Sequence, residues 1–180
     1  MDKPTIKGIF VNSHINSLNG EKGESAVREL EKRLGKKVDY KNSDDVLVSD
    51  EIKILEICLD ILSGEQISDK DRAFEAGKLH FNNFTTTPLA KIIFSLFKSQ
   101  FKLMMINSDK IAGHVFNNVK FKSTDLSPTS VKVVMKNNDY PLDHFRGLFT
   151  AWMEYAGLSG IVHANEINEG DYEYTMSWKK

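Results

Sequence analysis

The sequence predicts an α+β domain in which a mostly helical N-terminal two-thirds packs on a small four-stranded antiparallel sheet. Three observations predict it. Helical apolar spacing with capping residues recurs from Gly23 to about Phe116; two pairs of alternating runs fall between Val119 and Trp178; and an amphipathic helix separates those pairs, giving a β-β-α-β-β order at the C-terminal end. A helical cap on a small antiparallel sheet is an arrangement that commonly encloses a ligand.

The first segment stays open between strand and helix. Ile6-Lys7-Gly8-Ile9-Phe10-Val11 is a short apolar run with a glycine inside it, followed by polar Asn12, Ser13 and His14. Gly23-Glu24-Ser25 then opens a helix with Ala26, Val27, Leu30 and Leu34 on one side, an acidic start, a basic finish and Gly35 at its end. A second helix starts near Ser49-Asp50, carries Ile52, Leu55, Leu59 and Leu62 along one face, and stops at Gly64. A third begins at Ser68, where Ser68-x-x-Asp71 resembles a capping box, and its inner face holds Phe74, Gly77 or Leu79, and Phe81.

Thr87-Pro88 is a strong helix start, a capping hydroxyl followed by a proline whose missing N–H costs nothing there. The helix it opens is the most apolar in the chain, from Leu89 through Ile92, Ile93, Leu96, Phe97, Phe101, Met104 and Met105, and is expected to be the central one. Whether it runs unbroken to Phe116 or restarts at Ser108 stays open. Val119-Lys120-Phe121-Lys122 and Val131-Lys132-Val133-Val134-Met135 form a hairpin about Asp125-Leu126-Ser127-Pro128. Pro141 opens the last helix, with Leu142, Phe145, Leu148, Phe149, Trp152 and Met153 on its apolar side, and the final hairpin pairs 160–164 with 172–178.

Composition narrows function. A chain of 180 residues fits one domain, 1–180, with room for a real core. Its 24 basic and 25 acidic side chains are interspersed, with no basic stripe, so nucleic acid is not an expected partner. The one cysteine, Cys58, sits in an apolar run, which excludes an internal disulfide and a cysteine-rich zinc site and makes it a buried hydrophobe. No segment is apolar enough over about 20 residues to span a bilayer, and the start lacks a signal-peptide core, so a cytoplasmic, soluble protein is expected.

No hydrolase, nucleotide or metal-helix motif is present, and an enzyme is not expected. Asp44-Asp45, and Asp69 with Asp71, lie where carboxylates cap and solvate. The five histidines form no ligand motif in sequence, so no metal is expected. His80, beside Leu79 and Phe81, and His114, between Gly113 and Val115, are the two placed to serve as a single axial haem ligand, against the commoner role of a partly buried, hydrogen-bonded side chain. The aromatic and methionine residues of the two most apolar helices are first of all core, and a core of that kind adapts readily to a ligand.

Ile6-Lys7-Gly8-Ile9-Phe10, Phe74-Glu75-Ala76-Gly77, Phe84-Thr85-Thr86-Thr87 and the aromatic closing strand ending in Trp178 resemble a myxobacterial-type paralogous family of unknown function. That family is related in fold to the haem-NO-binding (H-NOX) domains, the four-vinyl-reductase domains and the Bet-type subunits of the transport-particle (TRAPP) tethering complex. The resemblance spans nearly the whole chain. It implies a non-enzymatic sensory or scaffolding domain that binds a small apolar ligand or a protein partner in signalling, with Phe97, Phe101, Met105, Phe145, Phe149 and Trp152 lining the interior and a homodimer among the assemblies open to it. The haem-binding branch would imply instead a gas sensor with haem as cofactor, and here the chain departs. The Tyr-x-Ser-x-Arg signature of that branch falls on Val133–Asp139, which holds none of the three, and its proximal histidine falls near Met104 or Met105, so haem would need His114 or His80 in a different register.

Overall fold

The computed structural model describes residues 2–64, 67–97 and 100–179, with nothing stated of the Phe97 side chain. The open first segment divides at its glycine. Strand β1 (Thr5–Lys7) gives way to helix α1 (Gly8–Lys22), followed by α2 (Glu24–Leu34), strand β2 (Asp45–Leu47) and α3 (Val48–Ser63). The short sheet so formed was not expected from the sequence. Its order is β2-β1-β3, with β3 at Phe116–Asn117, and Ile6 lies opposite both Val46 and Phe116, so one buried apolar residue from each strand meets on one face.

The second and third helices end and begin as the sequence predicts. On α3 the buried face is turned from the expected one: Glu51, Ile54, Leu55, Cys58 and Leu59 are buried, whereas Ile52 and Leu62 are only half-buried. Helix α4 (Asp69–Thr85) starts at Ser68, whose hydroxyl accepts the Asp71 N–H at 3.3 Å.

The expected central helix is corrected. Its sequence divides into α5 (Pro88–Phe97), α6 (Phe101–Ile106) and α7 (Ser108–Gly113). Gln100 leaves the helical region at φ −125°, ψ 54°, and Asn107, at φ −99°, ψ 21°, caps α6 and turns its amide onto the Leu103 carbonyl. Helix α5 starts on the Thr87 hydroxyl as predicted, yet Ile92 and Leu96 are 59% and 68% exposed, so this helix lies at the surface.

The centre belongs to α4 and α8 (Leu142–Tyr155). They cross through glycines: a Cβ on Gly77 would stand 1.8 Å from the His144 carbonyl oxygen, and one on Gly147 would stand 2.0 Å from that of Phe74. Contact that close brings the side chains one turn away, His80 and His144, together edge-on. The Arg146 guanidinium covers the Phe74 ring at 4.8 Å and closes one edge of the crossing.

Beneath α8 lies the expected sheet, four antiparallel strands in the order β4-β5-β7-β6, with β4 at Lys120–Ser127, β5 at Ser130–Lys136, β6 at Gly160–Asn168 and β7 at Asp171–Trp178. Period-two alternation sets its inner face. Val131, Val133 and Met135 are buried, Val131 faces Met176 and Val133 faces Tyr174, while the residues between them point outward. The Tyr174 hydroxyl donates to the Leu142 carbonyl at 2.9 Å, fastening the sheet to the start of α8. Ser123 fastens the other side, donating to the Met105 carbonyl at 2.7 Å. No helix among the described residues is long and apolar enough to cross a membrane.

A methyl group at either crossing glycine must push two helices apart. Gly77→Ala and Gly147→Ala are each expected to lower stability by about 1–3 kcal/mol or more, the cost of overpacking a tight core. Gly113→Ala, where an added Cβ meets nothing within 4 Å, is expected to leave the urea midpoint unchanged or raised. Urea unfolding of the three variants checks this.

Candidate functional site

Two features occupy the space around the α4–α8 crossing. The first is a cavity of about 60 Å³ walled by His80, Phe81 and Phe84 from α4, by Ile111 and Ala112 from α7, by Phe116 and Phe121 from the two sheets, and by Phe145, Phe149 and Trp152 from α8. By the measure in which one water needs about 10–15 Å³, it holds about four to six waters or one small apolar molecule. Trp152 also buries its Nε1–H without an acceptor among the described residues.

The second feature adjoins the cavity through His80. His14 from α1, Glu51 from α3, His80 from α4 and His144 from α8 converge, all of them buried. His14 Nε2 stands 2.8 Å from Glu51 Oε1, and His80 Nδ1 stands 3.6 Å from the same oxygen. His144 Nε2 lies 3.0 Å from His80 Nδ1, and the Asn83 amide, one turn beyond His80, meets His14 Nδ1 at 3.0 Å. The Tyr140 ring packs on His144 with centroids 4.4 Å apart. Its hydroxyl, and Glu51 Oε2, are buried and make no hydrogen bond of full geometry among the described residues.

Burial and charge oppose each other here. Desolvation pushes the Glu51 carboxyl up, but the positive charge available on His80 and the hydrogen bond with His14 outweigh it and hold the group below the usual carboxylate range. Desolvation pushes His80 down to about 4 and His144 down to about 3. At neutral pH His80 and His144 are therefore neutral imidazoles, so the charge of His80 bears on Glu51 only in acid and the hydrogen bond with His14 is what steadies the carboxyl at neutral pH. Tyr140 is raised, first by burial and then by the Glu51 charge, and stays a phenol. Cys58 is buried, as expected, and its thiol is pushed up to about 12 by burial.

Of the residues expected to line the interior, Phe145, Phe149 and Trp152 are brought to the cavity wall. Phe101 and Met105 are buried elsewhere, Phe101 edge-on to Trp178 at 5.3 Å, and the Phe97 side chain lies outside the described residues. His80 lies at the centre of both features. His114 caps α7 in an exposed position, while its neighbours Ala112 and Val115 turn to the cavity. Glu51, His14, His144, Asn83 and Tyr140 were not singled out from the sequence. A signal was present: each histidine and Glu51 falls on the apolar stripe of its own helix, where a polar residue requires a buried partner.

A helical cap over a four-stranded antiparallel sheet, with a cavity between, is the fold of H-NOX domains. The chain matches the crystal structure of the Fe(II) unliganded H-NOX protein from K. algicida with a TM-score of 0.66 at 14% identity, covering 97% of each chain. An oxygen-binding H-NOX domain related to soluble guanylate cyclases matches with a TM-score of 0.68 at 14% identity over 97% of this chain and 95% of that one. An H-NOX protein of T. tengcongensis matches at 0.57 and 16% identity, over 97% and 98%. Within that fold the chain belongs to the family described as protein of unknown function (DUF2378), whose model spans residues 1–179. Comparison with curated protein sequences gives no match.

Haem, the cofactor that a resemblance to the haem-NO-binding branch implies, does not fit the residues here. A ligand of its size needs on the order of 300–1,000 Å³, against about 60 Å³. The segment Val133–Asp139 also holds no arginine, tyrosine or serine of the signature that would bind the propionates.

The buried imidazoles make folding sensitive to acid. The folded-state values of His80 and His144 lie below the unfolded value near 6.5, so the unfolded chain binds more protons as pH falls from about 6.5 towards 4. Stability from these groups is complete above that window and lost within it. The urea midpoint, measured in EDTA, is expected to drop steadily between pH 7 and pH 4.5; a flat profile would show that the imidazoles are not buried neutral.

Proposed function

We propose that this chain is a non-enzymatic sensory domain whose α4–α8 cavity takes up one small, mainly apolar molecule. The cavity itself carries the reading: it is walled by aromatic rings, is sized for a ligand of a few heavy atoms, and lies at the crossing of the two helices on which both layers pack. An added molecule there presses on α4 and α8 together. Interiors this dense shift between discrete packings when pressed, which is how a small ligand is read at the surface. The resemblance in fold to H-NOX proteins, one of them described as oxygen-binding, supports a sensory role.

Xenon is the probe that tests the cavity, because it is apolar, nearly spherical and of the right size. Dissolved xenon is expected to shift the Trp152 indole and Ile111 methyl signals in the NMR spectrum, and Ala112→Leu, which fills the space, is expected to abolish those shifts without unfolding the protein. Absence of any xenon-dependent shift at the cavity wall rules the site out. Mixed with hemin, the protein is expected to leave the broad band of free hemin unshifted at one equivalent, and a sharpened, shifted Soret band that saturates at one equivalent would restore the haem reading.

A second reading, a protein partner, draws on one observation. Ile92 and Leu96 lie a turn apart on the outer side of α5 and are largely exposed, as is Tyr155 at the end of α8, beside Phe94 of α5. Sedimentation of the wild-type chain against Ile92→Glu tests whether that face joins two copies: a dimer that dissociates in the variant supports it, and a monomer in both removes self-association.

A further inference from the structure

We propose that His14, Glu51 and His80 form a binding site for a divalent transition-metal ion of the zinc and ferrous-iron class, held inside the helical cap beside the cavity. It stands apart from the reading of the cavity as a ligand site.

Three observations carry it. The donor atoms of these residues all lie within 4.8 Å of one another, and Glu51 Oε1 is 2.8 Å from His14 and 3.6 Å from His80. In a four-coordinate site with bonds of about 2.0–2.1 Å, donors stand about 3.3 Å apart, so both contacts to Glu51 Oε1 are already within about 0.5 Å of that spacing and side-chain rotations that draw the widest pair in by up to about 1.5 Å close the set. Metal sites in helical bundles are assembled in this way, from histidines and carboxylates on facing helices.

The metal-free network, secondly, is incomplete. With Asn83 donating to His14 Nδ1, His14 gives its Nε2–H to Glu51, while His80 and His144 share one proton between Nδ1 and Nε2. Glu51 Oε2 makes no hydrogen bond of full geometry among the described residues, the neutral Tyr140 phenol being the group set against the carboxylate, and no lysine or arginine among them pairs with it. Buried carboxylates without a cation are costly, and a bound metal removes that cost.

The surroundings, thirdly, suit a ligand set. Turning the Asn83 amide over lets its Oδ1 accept Nδ1–H of His14, which frees Nε2 to bind metal and fixes the ring. His144, whose Nε2 is 3.0 Å from the same His80 nitrogen, is left beside the fourth position, and the cavity wall at His80 gives a route for the ion and for a small ligand. Two imidazoles and a carboxylate with a position open is the donor set of catalytic zinc and non-haem iron sites.

The full chain, stripped with EDTA and desalted, is titrated with Co²⁺ and then with Zn²⁺. One equivalent of Co²⁺ is expected to bind with the visible absorption of a four-coordinate ion, to be displaced by Zn²⁺, and Zn²⁺ to raise the thermal midpoint. Glu51→Gln keeps the shape of the side chain and is expected to weaken binding by about 100-fold or more; Asn83→Ala, which removes the support of one ligand, by about 10–100-fold. The double variant His114→Ala/His163→Ala, at exposed positions, is expected to bind as wild type. Failure of the wild-type chain to take up either ion at millimolar concentration overturns the proposal, as does full affinity in Glu51→Gln or loss of binding in the surface variant. Should Glu51→Gln not fold, undiminished affinity in Asn83→Ala overturns it instead.

Discussion

Backbone meets backbone where α4 crosses α8, and the two glycines that allow it, Gly77 and Gly147, set the positions of nearly everything else. Each presses against a carbonyl of the other helix, so the separation admits no side chain at that point. Helix α8 lies on the four-stranded sheet, and α4 carries the contacts to α1 and α3; the crossing is the joint through which cap and sheet hold together. It also fixes a local geometry. One turn from each glycine stand His80 and His144, forced into hydrogen-bond distance by the same close approach.

Around that pair the protein accepts a polar centre inside an apolar interior. Four helices each contribute a titratable side chain, and a single carboxylate oxygen takes the contacts from His14 and His80. Such a centre weakens stability when it is only partly satisfied and holds helices in fixed register when it is complete. Next to it the wall turns aromatic, and the small volume enclosed there is set by ring against ring contacts such as Phe81 with Trp152, 5.4 Å apart. The same helices therefore carry two chemically different environments that meet at one imidazole, His80. The fold is shared with H-NOX proteins, and the side chains that fill its interior here leave a space of about 60 Å³ walled by aromatic rings.

Much of this was legible in the residues. Both hairpins, the last helix and the starts of α4 and α5 follow from alternation and from the capping residues Ser68 and Thr87, because those signals are local. The apolar stretch from Leu89 to Met105 misled for the opposite reason. Its composition says that it is buried and says nothing of where; only α8, the sheet and α4 decide that Phe101, Met104 and Met105 face inward while Ile92 and Leu96 face out. Strands of two or three residues, such as β2 and β3, carry too few side chains to show a period, and they pair over long sequence separations.

What the sequence alone determined is the class of architecture, most element boundaries, the apolar character of α8 with Phe145, Phe149 and Trp152, and the absence of local catalytic motifs. Tertiary structure decided the candidate site. His14, Glu51, His80 and His144 are scattered over four helices and up to 130 positions of chain, and each taken singly reads as a polar residue on an apolar stripe. Their meeting depends on how helices stack in three dimensions. That stacking is governed by the shapes of surfaces, here by two missing Cβ atoms, and shape of that kind has no period along the chain.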